Sequence, residues 1–124
     1  MRFSGNILIF IFLALSFGKT LAQPVPSNVE FLDNFSQAGI FLLKSQTDKA
    51  LQCYQRCIKL NPKSSASYYQ IAKIHYDSGD YAAAEMFAKN AVDINSDNVF
   101  YLRLLSDIFI KNGDIEKAVK EAAE

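Results

Sequence analysis

The sequence predicts an all-α fold: a solenoid of antiparallel helix-turn-helix hairpins behind an N-terminal signal peptide. Three observations lead there. Apolar residues recur at i, i+3, i+4 and i+7 in several segments, the spacing of one helix face. A short turn motif returns after 34 residues, and no stretch alternates at period two, so no strand is expected. Ten Phe and six Tyr against five Gly and three Pro mark an ordered, well-packed chain. Its 124 residues suffice for one compact unit or a few small repeats. Thirteen basic against 13 acidic residues exclude a strongly basic nucleic-acid binder and a polyacidic tail. One His and two Cys are too few for a multi-histidine or all-thiolate metal site, and no cofactor motif is present.

The apolar content is concentrated at the start. Arg2 supplies a positive charge, and Ile7 to Phe17 forms an eleven-residue run in which only Ser16 is polar. Gly18-Lys19 ends the run, and Thr20-Leu21-Ala22 places small residues at −3 and −1 of a cleavage site. That order is a secretory signal peptide, residues 1–22. A membrane-spanning helix needs about 20 apolar residues, and Lys19 comes too early for one. Removing Arg2 and Lys19 leaves 11 basic against 13 acidic residues. The mature chain is therefore mildly acidic, with no electrostatic reason to bind nucleic acid and no membrane span. The expected location is the periplasm or an equivalent secreted space. Gln23-Pro24-Val25-Pro26 opens a short lead-in over 23–30, with helix starting near Asn28.

The rest of the chain repeats itself. Ser78-Gly79-Asp80-Tyr81-x-x-Ala84 returns as Asn112-Gly113-Asp114-Ile115-x-x-Ala118, and one period earlier stands Ser45-Gln46-Thr47-x-x-Ala50. Tyr68, Ile71, Ala72 and His75 share one helix face, as do Leu102, Leu105, Ser106 and Phe109. Gly79 and Gly113 suit helix ends in the left-handed region. Asp80, Asp114 and Ser64 are placed to cap the helices that follow them, and Pro62 to stop the one before it. Ala84 and Ala118 let antiparallel helices approach closely.

On these residues the mature chain resembles the tetratricopeptide repeat (TPR) family. The units are 31–64, 65–98 and an incomplete third, 99–124, and the resemblance implies a right-handed α-solenoid. Asn34 and Gln37 depart from it where the family prefers apolar residues, as does Ser96 in place of a terminal Pro. The 26 residues of the third unit lead us to expect the N-terminal piece of a longer protein.

The resemblance also implies where a partner binds: the first helices of successive repeats line a concave groove. The family's groove positions fall here on Phe35 and Leu42 in the first unit, with Leu32, Gly39 and Leu43. In the second they fall on Tyr69, Lys73 and Tyr76, with Ala66 and Asp77. In the third they are Arg103, Asp107 and Ile110, with Phe100 and Lys111. Phe35 and Gly39 stand where one subfamily clamps a C-terminal carboxylate with Lys and Asn, so that activity is not expected. Catalysis finds little support, because His75 has no acidic residue three or four positions away. Cys53 and Cys57 are one helical turn apart, about 5–6 Å between Cβ atoms, too far for an unstrained disulfide. Two reduced thiols are expected, with Cys57 in a small core position. The expected function is non-covalent capture of a protein or peptide, either by an exported scaffold or by the sensory or targeting segment of a larger enzyme or signalling protein.

Mass analysis of the mature N-terminus from the native host should find Gln23 first, as such or as pyroglutamate. Met1 retained in membrane fractions would identify an uncleaved anchor.

Overall fold

The computed structural model describes residues 27–123; the expected signal peptide and its cleavage site lie outside them. Six helices make up the described residues, which contain no strand. They are α1 (Ser27–Leu43), α2 (Thr47–Leu60), α3 (Ser65–Asp77), α4 (Tyr81–Ile94), α5 (Val99–Lys111) and α6 (Ile115–Ala123). Helices pair along the chain as α1/α2, α3/α4 and α5/α6, and each hairpin packs on the next through α2 with α3 and α4 with α5. The result is an α-solenoid. Helix α1 begins at Ser27, one residue from the start expected near Asn28. Nothing after Pro26 opposes helix there, and Glu30 in the first turn favours it.

The local chemistry explains the punctuation. Gly79 and Gly113 have φ of 82° and 78°, the left-handed conformation in which a Cβ is penalised. Ser45 stands one period before Gly79 and adopts φ of 56° without being glycine. The Asp80 carboxylate accepts the Ala83 N–H at 3.2 Å, and Ser64 Oγ accepts the Ser67 N–H at 3.3 Å. Asn98, one period after Ser64, caps α5 by accepting from Phe100 and Tyr101 at 3.0 and 3.3 Å. Asp114 caps α6 as expected, its carboxylate accepting from the Lys117 backbone N–H, and the Lys117 ammonium also closes on it and, as the main cause, holds the carboxyl below its usual range.

Two apolar clusters run along the solenoid. The first contains Ala38, Ala50, Tyr54, Ile71 and Ile74. The second contains Ala72, Ala84, Ala88, Leu104, Leu105, Ile108, Phe109 and Ala118. Phe87 packs against both and joins them. The residues at the repeated small position, Ala50, Ala84 and Ala118, are essentially without exposure. Cys57 is likewise buried, its thiol 3.7 Å from the Phe31 carbonyl oxygen, and burial pushes its pKa up. Both cysteines are free thiols.

Two stability measurements test this architecture. Ala84→Leu should destabilise by about 1–3 kcal/mol, because it overpacks a contact with no spare volume. Leu at exposed Ala82 or half-buried Ala83 should cost less. Equal denaturant midpoints for the three variants would remove the proposed hairpin register. In the opposite direction, Ser45→Gly should stabilise by about 0.5–1 kcal/mol, the left-handed penalty relieved less the chain entropy of glycine. Chemical denaturation measures both, and a loss of stability in Ser45→Gly would contradict the strained turn.

Candidate partner-binding cleft

Helices α3 and α5 run parallel, being separated in sequence by the single antiparallel helix α4. Between them lies a cleft of about 280 Å³ lined by Tyr69, Lys73, Tyr76, Asp77, Phe100, Arg103, Leu104 and Asp107. Five of the eight residues singled out from the sequence therefore meet at one place: Tyr69, Lys73, Tyr76, Arg103 and Asp107. Their convergence follows from the period. Each sits on the first helix of a hairpin, and stacking two hairpins sets those two helices side by side.

The aromatic residues are partly held by the fold. Tyr69 packs on Tyr101 with ring centroids 4.9 Å apart, and Tyr76 meets Tyr81 edge-on at 5.5 Å. Both also contact the second apolar cluster. Phe100 is different, with 67% of its surface exposed at the start of α5. Lys73, Asp77 and Arg103 are exposed and Asp107 half-buried. None of these four charges makes an ion pair within 4 Å among the described residues.

The remaining expected residues are elsewhere. Phe35 turns into the first hairpin, its ring edge-on to Tyr54 at 5.3 Å, and Leu42 joins the same cluster. The reason is in α1 itself. Asn34 spends its amide on the Glu30 carbonyl at 2.8 Å, and Gln37 is exposed, so Phe35 supplies the apolar contact that those positions do not. Ile110 lies near the end of α5, 55% exposed, and does not line the cleft. Asp77 and Phe100 were legible as groove positions. Leu104 was not read from the sequence, although it lies one helical turn after Phe100 and so shares its face.

A larger hollow of about 680 Å³ lies beside the third hairpin, between the end of α4 and helices α5 and α6. Ser106 and Ala122 line it. They stand one period after Ala72 and Ala88, which belong to the cluster formed with α5. This hollow is thus the counterpart of a stacking face, not of a groove. His75 gives no catalytic constellation. Its ring stacks flat on Phe87 at 5.6 Å, and its Nδ1 lies 3.6 Å from the Asp80 carboxylate, which the turn brings round from five residues away. That carboxylate is already engaged in capping α4.

Known structures share the architecture. The chain is similar to the N-terminal domain of stress-induced protein-1 from C. elegans, with a TM-score of 0.71 at 16% identity, over 79% of this chain and 83% of that one. It is similar to the first TPR of Spaghetti bound to an HSP90 peptide, with a TM-score of 0.72 at 18% identity, over 78% and 76%. It also matches a Thermobaculum terrenum O-GlcNAc transferase mutant, with a TM-score of 0.72 at 15% identity, over 80% of this chain but 19% of that one. Residues 40–84 match the sequence model of the TPR repeat. This match spans the first turn, the whole of the second first-helix and Ala84. Together with the recurring hairpins it identifies residues 40–84 as TPR sequence within a TPR-like solenoid.

Proposed function

We propose that this protein is an exported interaction module that holds a peptide or helix of a partner protein in the cleft between α3 and α5. The observation that supports it most is the convergence of Tyr69, Tyr76 and Phe100 with four unpaired charges in one concavity. Aromatic surface supplies contact area at low entropic cost, and charges at the rim supply orientation. The HSP90 peptide held by Spaghetti, whose fold this chain shares, supports peptide capture as the mode. The charged start, apolar run and Thr-Leu-Ala end support export. Catalysis has no role in this reading, since His75 is occupied with Phe87 and lacks a nucleophile to activate.

A second reading keeps the same cleft but makes the chain the targeting segment of a larger enzyme. The favouring observation is the O-GlcNAc transferase, of whose length this chain covers only 19%. Catalytic motifs encoded downstream in the full reading frame would select it, and further repeats would select the scaffold.

Aromatic truncation tests the cleft. Tyr69→Ala and Tyr76→Ala should each weaken capture of the native partner from envelope extract. Both residues also pack on the solenoid, so Phe100→Ala is the cleaner variant. It should leave the circular dichroism spectrum and melting temperature near wild type while costing on the order of 2 kcal/mol in binding, as truncation of an interface anchor does. Undiminished capture by all three variants would move the binding surface away from this cleft.

A further inference from the structure

We infer that Asn112 is a site of spontaneous deamidation, and that Glu85 makes the conversion an irreversible switch that loosens the third hairpin from the second. Asn112 is the one asparagine of the chain followed by glycine. It stands exposed at the C-cap of α5, with φ of −76° and ψ of −3°. Gly113 has no side chain, and the space that a Cβ would take there is open to 4 Å. Nothing therefore shields its nitrogen once the turn opens.

The chemistry needs only water. The Gly113 nitrogen, having given its proton to a base, attacks the Asn112 Cγ; a C–N bond forms and Nδ2 leaves as ammonia. Water then opens the succinimide at either carbonyl, which leaves aspartate or isoaspartate at position 112. The folded turn restrains the first step. The Gly113 N–H donates to the Ile110 carbonyl at 3.1 Å and the Asp114 N–H to that of Phe109 at 2.8 Å, the paired bonds that end a helix on a left-handed glycine. Asn112 Nδ2 donates to the Glu85 carboxylate at 3.1 Å. Ring closure forfeits the Gly113 and Nδ2 bonds together, since the imide nitrogen carries no hydrogen and Nδ2 departs. Conversion is thus gated by local opening of the third turn.

What the amide holds decides what its loss does. One period earlier Gly79 and Asp80 make the same pair of bonds, to Tyr76 and His75. The C-cap there is Ser78, whose Oγ donates to the His75 carbonyl within its own hairpin. Asn112 instead crosses to α4 and enters a network of two anions and two cations. Glu85 pairs with Lys89 and Asp114 with Lys117, and both ammonium groups lie over the Phe109 ring. A carboxylate at position 112 adds a third anion to this network and takes away a donor from Glu85. It also sets negative oxygens against each other at hydrogen-bond distance. Glu85 then repels the turn that it held. The third hairpin docks less tightly, and the α5 wall of the cleft is held less firmly with it.

Ageing the purified chain in mildly alkaline buffer tests the site, by peptide mass mapping with isoaspartate detection. Conversion should appear at Asn112 before any other asparagine, severalfold faster in urea than in the folded state, and should vanish in Asn112→Gln. Conversion first at another asparagine would overturn the site, and equal rates folded and unfolded would overturn the gating. A double-mutant cycle tests the switch. Asn112→Asp should lower the denaturant midpoint of the wild-type chain, and much less so beside Glu85→Gln, which keeps an acceptor oxygen without the charge. Hydrogen exchange should place the lost protection in α5 and α6. An equal loss in both backgrounds, or none in either, would overturn the part given to Glu85.

Discussion

The close approach of two helices at one small residue per repeat is the constraint on which the structure depends. Ala50, Ala84 and Ala118 recur every 34 residues and are buried in turn. At each, the second helix of a hairpin comes near enough to the first for the two to share an apolar seam. Larger side chains such as Tyr54, Ile71, Leu105 and Ile108 fill the space on either side. No single hairpin could bury these residues, so stacking is part of folding, not an addition to it. The parallel placement of α3 and α5 follows from that stacking, and with it the cleft.

The hairpins are not equivalent, and the differences follow from what each must cover. On its outer face α1 carries Asp33 and Gln37, where α3 buries Ser67 and Ile71 and α5 buries Tyr101 and Leu105. Water can cover those polar side chains, so the outer face of α1 needs no neighbour. Helix α1 compensates inside its own hairpin with Phe31, Phe35 and Tyr54, an aromatic row in successive contact. Between the second and third hairpins the join is partly cationic: Lys89 places its ammonium over the Phe109 ring at 5.6 Å, and Lys117 covers the same ring from within the third hairpin at 5.8 Å. Asn112 reaches back from the third turn to Glu85 at 3.1 Å. These contacts fix how one hairpin sits on the next.

What was legible in the sequence is what recurs at fixed spacing. Period, helix faces, glycine turns, the Ser64 and Asp80 caps and the small alanine positions all depend on residues near one another along the chain. What was not legible depends on how the turns fold back. The approach of Asp80 to His75 spans five residues across a turn, a distance that helix-face rules do not cover. The Asp114 cap was legible too, but not that the Lys117 ammonium would close on the same carboxylate. Phe35 was assigned to the groove by its place in the repeat. The polar Asn34 and Gln37 beside it were visible, but that they would redirect Phe35 into the hairpin required knowing that Tyr54 faces it. In the cleft, the α3 wall and most of the α5 wall could be read by period. Leu104 could not, because a residue one turn from a groove position is as often a packing residue.

The repeat pattern also separates the proposed site from the other concavity of the solenoid. Size alone would favour the hollow beside α5 and α6, which has more than twice the volume of the cleft. Its lining, though, repeats positions that one hairpin earlier are covered by the next helix, and its geometry is that of a stacking surface. The cleft differs in kind. Its charged residues face away from every apolar cluster, pair with nothing within the described helices, and sit in the intrahelical order that serves the helix least. A folding constraint would place apolar or small residues at such positions, or would reverse the charges. Neither wall does so. A requirement outside the solenoid accounts for these charges better than one within.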